Sequence, residues 1–133
     1  MRTTVIPAVL LAIVFGMNVP LAAAEHTKDN LDTVKANVEM KKAVIIDVRE
    51  PDEWERGHLA QATNVPLSRI QKGLMAEEWE KLVPKDAIVY LHCAAGGRCL
   101  KAGDLLPKTM HDLRPLKPGY RELLSAGFVK SEK

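Results

Sequence analysis

Two cysteines bracket a seven-residue stretch, Cys93-Ala94-Ala95-Gly96-Gly97-Arg98-Cys99, and the chain has no others. A thiol attacks only as its thiolate, so the chemistry depends on what near Cys93 favours the anion. Gly96 and Gly97 can take the positive φ angles that fold a short loop back on itself and turn successive backbone N–H groups toward one point. That point is the sulfur of Cys93. Arg98 adds a fixed positive charge, and a helix starting just after the loop would add its N-terminal dipole. Four residues separate Cys93 from Arg98, one fewer than in the phosphate cradle of cysteine phosphatases. A tighter ring suits one extra atom carried on the cysteine better than a tetrahedral phosphoryl group. Cys93 as an inert buried thiol is the bland alternative; the paired glycines and the arginine speak against it.

Stepping outward, the loop needs a strand to deliver it and a helix to leave by. The apolar, β-branched run 87–91 predicts that strand over 86–92; a helix from about Cys99 to Leu106 follows, stopped by Pro107. The run 43–48, bounded by polar residues, predicts a central parallel strand buried on both faces. Leu31, Val34 and Val38 recur at helical spacing within 27–40, as do Met75, Trp79 and Leu82 ahead of Pro84. Residues 50–57 begin with Pro51 and end with Gly57, the pattern of a one- or two-turn helix. Asn64-Val65-Pro66-Leu67 reads as an edge strand or extended segment, with Ser68 capping the next helix. A last strand over 110–116, weakened by Pro115, and a helix over 119–126 with Leu123 and Leu124 inward complete the set. Short apolar strands alternating with helices predict an α/β domain with a parallel sheet covered on both faces.

Several polar residues fall near the loop in such a fold. Asp47, at the carboxyl end of its strand, could steady the loop by hydrogen bonds. Arg49 and Glu53, four apart, could pair with each other. His58 beside Gly57 reads as a histidine serving the fold, and strand alternation turns His92 away from Cys93. Cys99 has two readings, a small buried residue or a resolving thiol able to attack a persulfide or an oxidised sulfur on Cys93.

The whole chain has 133 residues. Its first 24 combine Arg2, an apolar run over 5–15 and Ala22-Ala23-Ala24, the composition of a secretory signal cleaved after Ala24. The apolar core falls short of the roughly 20 residues that a spanning helix needs, so no stable membrane anchor is expected after cleavage. Residues 25–133 are then a single domain. Across the chain 19 basic residues face 17 acidic ones, a near balance that argues against nucleic-acid partners. A bridge between Cys93 and Cys99 would close too small a ring to stabilise much.

The stretch Asp47-Val48-Arg49-Glu50-Pro51-Asp52-Glu53-Trp54, continued by Gly57-His58-Leu59 and by Ala62-Thr63-Asn64-Val65-Pro66-Leu67, resembles the N-terminal signature of the rhodanese family of sulfurtransferases. With the Cys93 loop and Leu116-Lys117-Pro118-Gly119-Tyr120, the likeness spans nearly everything beyond residue 43. The resemblance implies a rhodanese-like domain with a central parallel sheet of about five strands. It implies a thiosulfate sulfurtransferase: Cys93 as nucleophile, the amides of Ala94, Ala95, Gly96, Gly97, Arg98 and Cys99 holding a persulfide, and Asp47, Arg49 and His58 in support. The donor would be thiosulfate or another sulfane-sulfur compound, the acceptor cyanide or a small thiol, with no metal or organic cofactor. A periplasmic monomer is expected. Cys99 departs from the family's usual serine or threonine after the arginine, which keeps open a thiol–disulfide or persulfide-carrier protein using Cys93 and Cys99. A non-catalytic binding module is the other alternative, with the intact Cys93 against it.

Overall fold

The computed structural model describes residue 16 and residues 23–107 and 111–133. The apolar run 5–15 that carries the expected export signal lies outside the described residues, as does Met110. Among the described residues no helix is long and apolar enough to cross a membrane.

Asn30 opens the first helix, α1 (Leu31–Glu39), by accepting the Thr33 N–H at 2.8 Å through its side-chain oxygen. The helix is shorter than expected because residues 24–29 do not coil but run alongside the end of the sheet. After β1 (Ala43–Asp47) come α2 (Pro51–Glu55), β2 (Ala62–Asn64), α3 (Leu67–Gln71) and α4 (Ala76–Leu82). β3 (Ile88–His92) then leads through the cysteine loop into α5 (Gly97–Leu105), and β4 (Asp112–Pro115) and α6 (Tyr120–Ser125) finish the chain. Ser68 does not cap α3. It lies inside that helix, and its N–H and hydroxyl both donate to the Glu50 carboxylate, at 3.2 and 2.7 Å, so the cap is supplied from a distance.

The sheet is all parallel, in the order β2-β1-β3-β4, with four strands where about five were expected. β1 and β3 are its two central strands, and their apolar side chains divide between two clusters, one on each face. On one face Ile46, Val48, Val89 and Leu91 meet Trp79, Ile70 and Ala102 from α4, α3 and α5. On the other Ile45 and Tyr90 meet Val34, Val38 and Leu123 from α1 and α6. These helices have five to nine residues, too short to persist alone in water, so packing holds them. The fully buried Trp79 is pinned further: its indole N–H donates to His111 Nδ1 at 3.1 Å, and His111 Nε2–H donates to the Pro84 carbonyl at 3.2 Å.

All four strands point the same way, so their carboxyl ends share one edge. Asp47 and His92 are register partners there, and the Cys93 loop leaves from that edge. This is the edge at which open parallel sheets build their sites.

Candidate active site

Cys93 is the first residue beyond β3. Alternation puts its side chain on the same face as Leu91, against α5, and it is only 1 % exposed. The Gly96 N–H donates to its sulfur at 3.0 Å. Gly96 manages this with φ at +86°, and a Cβ there would stand 2.7 Å from the Lys117 carbonyl oxygen. Glycine is required on both counts. Gly97 is different from the sequence expectation: it opens α5, its φ is not positive, and open space lies where a Cβ would be. One glycine makes the turn.

Cys99 lies one helical turn beyond Gly96, fully buried, and both cysteines are free thiols. Its Sγ reaches the carbonyl oxygens of Gly96 at 3.0 Å and Leu116 at 3.2 Å, and its thiol also serves the Cys93 sulfur. One S–H proton faces three acceptors, and a thiolate outcompetes a carbonyl for it. The Cys99 thiol thus leads in lowering the pKa of Cys93 to about 5, helped by the N–H groups of Cys99, Ala95 and Gly96 and opposed by burial. The same contact, with burial, pushes the Cys99 thiol far above the ordinary thiol range. One sulfur holds the charge and the other keeps the proton.

Arg98 does not lie over the sulfur as a free cation. It forms a two-pronged ion pair with Glu53, the second contact at 2.8 Å, and this pairing raises its pKa and lowers that of the carboxyl. The expected pairing of Arg49 with Glu53 is therefore replaced. Arg49 folds back on Asp47, whose carboxylate accepts its backbone N–H at 2.9 Å, its Nε–H at 3.0 Å and a terminal N–H at 2.7 Å. A two-residue separation at a strand end allows this closure, and Glu53 is left for α5.

Asp47 makes no direct hydrogen bond to the loop. Its influence passes through Arg49, whose guanidinium also donates to the Gly57 carbonyl at 2.8 Å and stacks 4.1 Å from the Tyr120 ring centre. Tyr120 in turn donates its backbone N–H to the Cys93 carbonyl at 3.0 Å. Just before it, Gly119 passes so close that an added Cβ would sit 1.8 Å from the Ala94 carbonyl oxygen. Gly119, Tyr120 and the Leu116 carbonyl thus complete the site. The 116–120 motif was visible in the sequence, but its contacts are made by backbone atoms that no residue type announces.

His58 stacks on Trp54 at 3.5 Å and binds the Trp54 carbonyl through Nδ1 at 2.9 Å, as befits a histidine that serves the fold. His92 is fully buried on the face opposite Cys93, its Nε2 3.4 Å from an Asp47 oxygen, and burial lowers its pKa. Beside the loop lies a cleft of about 400 Å³ lined by Arg49, Glu53, Arg56, Gly57, Ala94, Tyr120 and Arg121. Arg49 and Glu53 are committed to partners, and Arg56 meets Asp52 in an exposed pair at 3.1 Å. Arg121 is exposed and has no ion pair among the described residues. The mouth is cationic. No group of His, Cys, Asp or Glu suited to a metal occurs among the described residues.

A thiol held ionised at the end of a central parallel strand, contacted by loop amides and backed by a helix, defines the class. Residues 30–126 match the Rhodanese-like domain, and the chain belongs to that family. It is 34 % identical over 94 residues to an uncharacterized protein of Bacillus subtilis, spanning 70 % of this chain and 68 % of the relative. It is 26 % identical over 122 residues to the thiosulfate sulfurtransferase PspE of Escherichia coli, spanning 91 % and 86 %. Among solved structures it is similar to a rhodanese-related protein of Thermoplasma volcanium, with a TM-score of 0.62 and 25 % identity over 79 % of this chain and 97 % of that one.

Proposed function

We propose that this chain is a thiosulfate sulfurtransferase working through a persulfide on Cys93. The observation that carries the reading is the Gly96 N–H on the Cys93 sulfur at 3.0 Å, in a loop whose donors hold that thiol ionised from about pH 5 upward. The Cys93 thiolate attacks the outer sulfur of thiosulfate; the sulfur–sulfur bond of thiosulfate breaks, and its electron pair leaves with sulfite. The product is a Cys93 persulfide anion with the same total charge. Loop amides that held the thiolate then face the terminal sulfur, where the charge has moved. Cyanide or a small thiolate attacks that sulfur, and the Cys93 thiolate is regenerated.

The cationic mouth supports an anionic donor, since Arg121 and Arg56 flank the approach to Ala94. The rival reading, a thiol–disulfide couple, is disfavoured by the assignment of the proton to Cys99, which makes it a donor and a poor nucleophile. In this reading residues 1–24 direct export, and the protein acts as a periplasmic monomer. Asp47 and Arg49 support the loop through Tyr120, and His58 braces α2 at Trp54, without touching the transferred sulfur.

The test is intact-protein mass after mixing with thiosulfate. A gain of about 32 Da, one sulfur atom, that is absent in Cys93→Ser and removed by cyanide is the expected result. No gain, or a gain that survives Cys93→Ser, would overturn the reading.

A further inference from the structure

The residue that holds the back of the cysteine loop lies upstream of the segment that matches the family. His26 is outside residues 30–126, yet its Nε2 stands 2.7 Å from the Gly96 carbonyl oxygen. A carbonyl can only accept, so Nε2 carries the proton and donates. Gly96 is the pivot of the loop: its own N–H is the donor on the Cys93 sulfur, and its φ of +86° belongs to a region in which glycine has no side chain to fix it.

His26 is placed by a strap whose anchors are independent of the loop. The Thr27 N–H donates to the carbonyl of Pro115, the last residue of β4, at 2.8 Å. Asp29 accepts from the Tyr90 hydroxyl at 2.7 Å and from Arg114 at 2.8 Å. The segment therefore crosses the carboxyl end of the sheet and presents one imidazole to one carbonyl. The Gly96 N–H and carbonyl lie in adjoining peptide planes that share the Gly96 Cα, so a bond that fixes the carbonyl limits rotation about that Cα and steadies the N–H on the sulfur. Gly96 is hence the place where one outside hydrogen bond has most effect.

We propose that His26 is a positioning residue for the Cys93 loop: by holding the Gly96 carbonyl outward, it keeps the Gly96 N–H aimed at the sulfur. The proposal rests on the sulfurtransferase reading for its consequence in turnover, but not for its effect on the thiolate. Cys99 shares the same carbonyl at 3.0 Å, and the two donors together close off its lone pairs. When the Cys99 proton turns to the sulfur, the His26 bond is the one that remains.

The experiment compares the full chain with His26→Leu, which has no donor, and His26→Gln, whose amide N–H reaches about as far as Nε2. The Cys93 thiolate is titrated by its absorbance near 240 nm, and thiosulfate turnover is measured alongside thermal unfolding. His26→Leu is expected to raise the apparent pKa of Cys93 by about one unit, a tenfold change in the ionisation constant, and to lower kcat more than it raises KM. His26→Gln should restore most of both, and the two variants should melt together. A wild-type titration curve in His26→Leu, or a Gln variant as impaired as the Leu variant, would overturn the proposal. If the wild type takes up no sulfur from thiosulfate, the sulfurtransferase reading falls, and the titration still decides the clamp.

Discussion

Two buried sulfurs share one proton in this protein, and the direction of sharing decides which of them can react. Cys99 must be able to donate, and a hydroxyl could do the same. Cys99→Ser is therefore expected to leave the Cys93 pKa within about half a unit of its wild-type value, whereas Cys99→Ala removes the leading donor and should raise it by a unit or more. Titration near 240 nm separates the two, and equal shifts would show that the backbone amides alone hold the anion. The Glu53 ion pair gives a second residue-scale prediction. Arg98→Lys keeps the charge but loses the fork that engages both carboxylate oxygens. Sulfur uptake should slow by about tenfold, roughly 1.4 kcal/mol in the barrier, measured by quenched mass spectrometry.

At the scale of elements, the site is a strand end, a glycine turn and a helix, closed from behind by the 116–120 segment. The glycines are not equivalent, and substitution shows it. Gly119→Ala drives a methyl into the Ala94 carbonyl and is expected to cost more than about 2 kcal/mol, seen as an earlier denaturant midpoint with loss of activity. Gly97→Ala meets nothing and should hold or slightly raise stability, since alanine is the better helix former by up to about 1 kcal/mol. Equal damage from both would refute this division of labour. Much of this arrangement was legible beforehand. The β-branched run before Cys93 and the apolar run 43–48 appear as the adjacent central strands β3 and β1, because hydrophobic runs of strand length report double-sided burial directly. The partner of Glu53 was not legible. Spacing along a helix suggests local pairs, and here a neighbouring strand end captured Arg49 first. His26 left no periodic signal either, since it works from an extended strap.

Over the whole molecule, the depressed Cys93 pKa links stability to pH. The unfolded chain keeps the thiol proton up to roughly pH 8.5, whereas the folded protein has released it above about pH 5, so this group makes folding more favourable as pH rises through that window. The contribution fades as pH falls through about 5. Buried His92 acts with the same sign lower down: its folded pKa lies below the unfolded value of 6.5, so the unfolded chain gains a proton first as pH falls below 6.5. Urea midpoints measured from pH 5 to 8 should rise for the wild type. In Cys93→Ser the rise above pH 6.5 should largely flatten while the lower part persists; an unchanged upper slope would show that Cys93 is not ionised in the folded state.

The order of residues along the chain adds a consequence for biosynthesis. Cys93 is made before the Leu116 carbonyl, the closely approaching Gly119 and the Tyr120 N–H that bind its loop. Until they arrive, the loop lacks the contacts that close it from behind. The loop is closed from behind only when the C-terminal segment docks, so the last stage of maturation completes the reactive geometry.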